Sequence, residues 1–170
     1  IRLQNLYLSD AESLVRLDDC TNFYAECVLF QRYVYALNYG YNVDIVTCSQ
    51  CYFGSSLTVI ATRSETALNY NFRSPAHAAG ALSQNAHKYI GCWFMRQLVV
   101  ANFYDSTVGN VNFDTCYVEY SKQYALLGNS GTSTGPKCVS WDNCHFSIVY
   151  DATDTQAKIQ NMNAAGDTTI

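Results

Sequence analysis

The chain is short of charge. Only 14% of its 170 residues are Asp, Glu, Lys or Arg, against ~25% in an average soluble domain. Lys and Arg form no run, and the net charge is −4. A nucleic-acid binder needs a basic face to neutralise phosphates, so that class is set aside. No stretch approaches the ~20 apolar residues of a membrane-spanning helix. Ile1–Asp10 has no charged segment followed by an apolar run, so no signal peptide is expected, and the chain reads either as a processed, mature one or as a trimmed sequence. The Asn residues include no Asn-x-Ser/Thr triplet, so N-glycosylation is not expected.

Catalytic signatures are missing as well. There is no Gly-x-Ser-x-Gly elbow. His77, His87 and His145 are the only histidines, and none stands four residues from another, so no helical metal pair exists. The carboxylates Asp18, Asp19, Asp44, Glu65, Asp105, Asp114, Glu119 and Asp142 are scattered, and none forms a recognisable pair for glycoside hydrolysis. Asp151-Ala-Thr-Asp154 lacks the glycine and closing glutamate of a calcium loop. No metal, no cofactor and no enzymatic activity are expected.

Eight cysteines are present: Cys20, Cys27, Cys48, Cys51, Cys92, Cys116, Cys138 and Cys144. An even number at this density points to disulfides and an oxidising compartment. Cys48-Ser49-Gln50-Cys51 has the spacing of a redox pair or half a zinc site. Tyr52-Phe53-Gly54 makes a poor helix start, and no second Cys-x-x-Cys follows, so structural disulfides are favoured. Local closure of Cys20 with Cys27 and of Cys138 with Cys144 is plausible on spacing. The expected setting is extracellular or cell-surface.

Period-2 alternation runs through Tyr33, Tyr35, Leu37, Tyr39, Tyr41, Val43 and Ile45, the pattern of half-buried strand. Similar signals occur at Leu57–Thr62, Ala67–Phe72, Val108–Phe113, Thr115–Tyr120 and Cys144–Ala152, and Tyr89–Tyr104 reads as one central strand. Ser9-Asp10-Ala11-Glu12 fits a capping box and predicts a short helix to Leu17. Ser74-Pro75 predicts a second helix, to about Tyr89. No fixed-period repeat is evident. The expected fold is mainly β, an antiparallel sandwich or barrel-like domain over 1–170 with one or two short helices, stapled by disulfides.

Abundant Tyr, Asn and Thr, with ends that read as arms, suggest assembly. The segments Ile1–Leu8 and Ala157–Ile170 are candidate arms, with Ile1, Leu3, Leu6, Leu8, Ile159 and Ile170 as their apolar contacts. The first functional expectation is a structural subunit of an extracellular filament, appendage or coat that binds copies of itself head to tail by β-strand addition. The second is a secreted binding module for glycans, using exposed Tyr with Trp93 or Trp141. The third is a secreted hydrolase using His145 or a carboxylate pair. The loop at Gly128–Pro136 offers Thr132, Ser133 and Thr134 as candidate O-glycosylation sites.

Overall fold

The computed structural model describes residues 1–40, 42–54, 65–70, 83–103, 107–127, 138–147, 159–161 and 167–168. Among these residues there is no helix and every strand pair is parallel. The chain winds as a β-solenoid, each coil laid on the previous one. An antiparallel sandwich or barrel is therefore not the fold.

The first face is a seven-stranded sheet of β1 (Arg2–Gln4), β3 (Cys20–Glu26), β5 (Val43–Ser49), β8 (Ser83–Ile90), β11 (Thr107–Asp114), β14 (Cys138–Asp142) and β17 (Asp167–Thr168), in that spatial order. The ten-stranded second sheet bends into two arms. The long strands β2 (Tyr7–Leu17) and β4 (Leu29–Tyr39) run through both arms. One arm continues with β6 (Tyr52–Gly54), β9 (Trp93–Met95), β12 (Tyr117–Glu119) and β15 (His145–Ser147). The other continues with β7 (Thr66–Asn69), β10 (Val99–Asn102), β13 (Gln123–Leu127) and β16 (Ile159–Asn161).

Corners are made by residues with left-handed backbone. Between the first sheet and the first arm these are Asn5, Cys27, Gln50, Gly91, Thr115 and Asn143. At the bend between the arms they are Asp10, Arg32, Arg96 and Tyr120. Gly91 (φ 59°) takes this conformation without strain, whereas Thr115 (φ 55°) is β-branched and does not.

Each first corner opens the same four-residue unit. The left-handed residue is followed by an inward small or apolar residue, an outward one, and an inward apolar one. The unit reads Asn5-Leu6-Tyr7-Leu8, Cys27-Val28-Leu29-Phe30, Gln50-Cys51-Tyr52-Phe53, Gly91-Cys92-Trp93-Phe94, Thr115-Cys116-Tyr117-Val118 and Asn143-Cys144-His145-Phe146. Register pairs stack the units on one another. A repeat therefore exists where none is evident from the sequence.

Stacking fills the core with columns of like side chains. Phe30, Phe53 and Phe94 lie ring on ring at 4.7 and 4.8 Å, within 8° of parallel. Tyr89, Phe113 and Trp141 continue a second column at 4.9 and 3.8 Å. Tyr39, Tyr70 and Phe103 make a third, at 4.4 and 4.6 Å. Beside the third, Asn102 donates to Asn69, Asn69 to Asn38, and Asn38 to the Ser13 hydroxyl, an amide ladder along the solenoid axis. Such a ladder satisfies polar side chains that burial would otherwise penalise.

Both predicted helices are corrected. Asp10–Leu17 belongs to β2, with Asp10 (φ 64°) at a bend and its carboxylate bound by Arg32. Ser83–Ile90 is β8; residues 71–82 lie outside the described residues. The single strand expected over Tyr89–Tyr104 is broken at Gly91 and at Arg96: Tyr89 and Ile90 end β8, β9 and β10 follow, and Tyr104 lies outside the described residues.

The disulfide framework is also corrected. Cys20, Cys27, Cys48, Cys51, Cys92, Cys116, Cys138 and Cys144 are all free thiols. Cys20 begins β3 and Cys27 follows its end. Seven steps of extended chain at ~3.3 Å put them far beyond the ~6.8 Å that a disulfide tolerates. Cys138 and Cys144 are separated likewise by β14 and a corner. Stacked thiols on adjacent coils carry nearly parallel Cα–Cβ bonds ~4.8 Å apart, not the converging pair at ~3.8 Å that sulfur bridging needs.

Candidate functional site

The two ends of the solenoid show the core in cross-section. Inward side chains of the middle coils are buried, whereas those that pack on the core while only partly buried are Leu3, Leu8, Leu14 and Val15 in the first coil and Trp141, Cys144 and Phe146 in the last. Leu6, where the inner column begins, is 42% exposed. These residues correspond. Leu3 and Trp141 start and finish one column, through Ala25, Cys48, Tyr89 and Phe113. Leu8 and Phe146 bound the phenylalanine column. Leu6 and Cys144 bound the column between them.

The backbone is open at the same places. Among the described residues β1 pairs only with β3, and β2 only with β4, so each shows one edge without a described neighbour. At the other end, among the described residues, β15 pairs only with β12, and β17 covers only Cys138 and Val139 of β14. Of the predicted arm contacts, Ile1, Leu3, Leu6 and Leu8 are held by their own chain. The Ile1 amine donates to the Asn22 carbonyl (2.8 Å), and β1 and β2 pair in register with β3 and β4. Ile159 begins β16 on β13, and its side chain lies outside the described residues, as does Ile170. Thr132, Ser133 and Thr134 lie outside them too, as do His77, Asp105 and the Asp151–Asp154 segment.

The cysteines sort by position. Cys51, Cys92, Cys116 and Cys144 occupy one column at the first corner, with Cys48 beside Cys51. Their thiols face corner carbonyls. Cys92 reaches the Cys48 carbonyl (3.4 Å), Cys116 that of Tyr89 (3.3 Å) and Cys144 that of Phe113 (3.4 Å). Burial pushes the Cys48 and Cys92 thiols well above the usual range. Neighbouring thiols donate to Cys51 and Cys116 and draw each down to about 4. Cys144 is raised, chiefly because its proton is engaged by Cys116. Cys20 is buried, its thiol on the Asn22 carbonyl, whereas Cys27 is exposed at a corner and Cys138 is half-buried. Among the described residues, no three His, Cys, Asp or Glu side chains converge to hold a metal ion.

Of the two described histidines, His87 is buried in the core. Its Nε2 donates to the Val43 carbonyl (3.1 Å), which leaves Nδ1 to accept from the Tyr70 hydroxyl (3.1 Å). Tyr70 then accepts from Tyr89, and Tyr89 from Tyr39, each at 2.6 Å. Every proton in this relay is engaged in a hydrogen bond. His145 is exposed on the outer face, stacked on Tyr117 at 4.6 Å. His87 feels the charge of Asp44 but has its ring nitrogens on Val43 and Tyr70, so it is not hydrogen-bonded to a carboxylate.

One shallow groove of about 470 Å³ opens at the bend, lined by Asp10, Glu12, Arg32, Tyr33 and Glu65. The Arg32 guanidinium, hydrogen-bonded to Asp10, holds that carboxyl down at about 2, so Asp10 is no general acid near neutrality. Asp44, Asp114, Glu119 and Asp142 sit on outward positions of the sheets, and Asp18 and Asp19 at a corner. Trp141 is turned inward onto Phe113. Trp93 is outward and 43% exposed, between Tyr52 and Tyr117 at 5.7 and 5.3 Å.

Comparison of the chain with protein-family models, curated proteins and solved structures returned no match. The sequence reasoning missed the matched ends. Their signal was available in the four-residue unit around each corner, hidden by its unequal spacing at positions 5, 27, 50, 91, 115 and 143.

Proposed function

We propose that the chain is a structural subunit that stacks head to tail on copies of itself, the last coil of one subunit receiving the first coil of the next. The observation that carries this reading is the register match. Leu3, Leu6 and Leu8 continue the columns that Trp141, Cys144 and Phe146 leave partly uncovered. The step from one subunit to the next would follow the step from coil to coil along β15 of the first arm and, on the first sheet, from Ser140 onward, past the end of β17 on Cys138 and Val139; such a heterologous contact does not close and so propagates. The edges of β1, β2 and β15 without a described neighbour supply the hydrogen bonds of strand addition.

The reading differs in mechanism from arm exchange, because the first strands stay on their own body. An extracellular or cell-surface setting is part of the proposal; the low charge supports it, and the free thiols do not. The test is the state of association. The chain should sediment as a concentration-dependent series of multimers. Leu6→Asp at one end, or Phe146→Lys at the other, should reduce it to a monomer with an unchanged β-type circular dichroism spectrum. A monomeric parent chain, or multimers undiminished in both variants, would remove the proposal.

A second reading, glycan binding, is favoured by one feature. Tyr52 lies across Gly54, where an added Cβ would come within 2.2 Å of the ring, and Trp93 stands edge-on beside it. A ring lying across the sheet beside an upright indole is a shape that accepts a sugar ring. Trp93→Ala should then abolish retention on immobilised polysaccharide without altering the association state.

A further inference from the structure

The thiol column has no part in the stacking proposal except at its last member. It is also unusual in composition. Four successive coils place cysteine at the same inward position, where the two preceding coils have Leu6 and Val28. A small apolar residue would fill the corner as well, so packing alone does not select sulfur four times.

We propose that the column Cys51–Cys92–Cys116–Cys144 is a binding site for soft, two-coordinate cations, Cu(I) or Ag(I), each held in a line between sulfurs of adjacent coils. Three features support it. The first is spacing. The zinc–thiolate bond of ~2.3 Å sets the scale of a metal–sulfur bond; two of similar length in a straight line come close to the ~4.7–4.9 Å repeat of adjacent parallel strands. The second is donor type. Thiolate ligands favour Cu(I), Zn and Fe–S clusters; of these Cu(I) accepts two ligands in a line, and Ag(I) shares that preference. The third is geometry. With no three donors converging among the described residues, a tetrahedral zinc site is not built here, while a straight two-sulfur bridge asks for only two.

The chemistry balances without redox change. Two S–H bonds break, two S–metal bonds form, and two protons leave to solvent for each isolated bridge. Bridges that share a sulfur release one further proton per added ion, so a filled column still carries one negative charge in all. Entry is from the Cys144 end, where the column is only partly buried; Cys51, Cys92 and Cys116 are each 1% exposed.

The experiment is an anaerobic titration of the reduced, full chain with Ag(I), followed by native mass spectrometry and X-ray absorption at the silver edge. Bound silver should have two sulfur neighbours and no nitrogen or oxygen. The double variant Cys92→Ser/Cys116→Ser keeps a hydroxyl to donate to the same carbonyls, and should lose at least tenfold in affinity. Cys27→Ser/Cys138→Ser should bind as the parent does. Affinity unchanged in the first variant, or lost in the second, would overturn the proposal. If the first variant does not fold, the parent's absorption spectrum decides alone: three sulfurs, or mixed light-atom ligands, would overturn it.

Discussion

His87 is the residue on which the interior depends most visibly. Desolvation holds its imidazole down at about 4, outweighing the Val43 carbonyl and the Asp44 charge, which favour the cation. The unfolded chain protonates near 6.5. The folded value is the lower of the two, so the unfolded state binds the extra proton first. Stability is full above pH ~6.5 and falls as the pH drops towards 4, by about 3 kcal/mol in total. Denaturation midpoints between pH 7 and 4.5 should show that slope, and His87→Asn should flatten it. A midpoint independent of pH over this range would mean that the imidazole does not sit in the core as described. Single residues also set the corners. Thr115 accepts a left-handed backbone that only glycine takes freely, and its hydroxyl donates to Asp114 (2.8 Å).

At the scale of elements, the amide ladder ties β2, β4, β7 and β10 together at one height on the core. Asn69 stands in its middle, donating to Asn38 and accepting from Asn102. Asn69→Ala should therefore cost ~2–3 kcal/mol, the loss of two bonds with buried amides left behind, while Asn22→Ala on the exposed face should cost under ~0.5 kcal/mol. Chemical denaturation of the two variants checks this. The strands themselves were legible in the sequence. Alternation from Tyr33 to Ile45 marks β4 and β5, with Tyr33, Val43 and Val46 inward and Ile45 turned outward. Their direction of pairing was not, because alternation gives the face of a strand and not its neighbour. Asp10 shows why a helix was expected in place of a bend. The short side chain that caps a helix also tolerates the left-handed backbone of a corner, and only the partner, Arg32 on the next coil, separates the two cases. The cysteines misled for a similar reason. Even number and high density signal disulfides only where paired sulfurs can converge, and in-register stacking of Cys51, Cys92, Cys116 and Cys144 holds them apart.

For the whole molecule, what matters is that the same coil-to-coil step relates every described coil to the next. Each face adds strands of one sense, the aromatic columns run along the axis, and the ends show side chains of the same columns. A sandwich closes its core between two sheets; a solenoid closes it only where a cap or another subunit lies across the end. Completing the burial of Leu3, Leu6, Leu8, Trp141, Cys144 and Phe146 would contribute on the order of 1 kcal/mol each. Together with strand pairing, this is of the size needed against the ~4–15 kcal/mol lost on association. The same reasoning separates the two ends, since each supplies a different half of the contact. The most direct measurement is therefore a mixing experiment with the two end-blocked variants in the ultracentrifuge. Leu6→Asp keeps an intact last coil, and Phe146→Lys an intact first coil. Each alone should sediment as a monomer, and an equimolar mixture should form a one-to-one dimer that grows no further. A mixture that stays monomeric, or one that polymerises, would contradict a head-to-tail stack of matched ends.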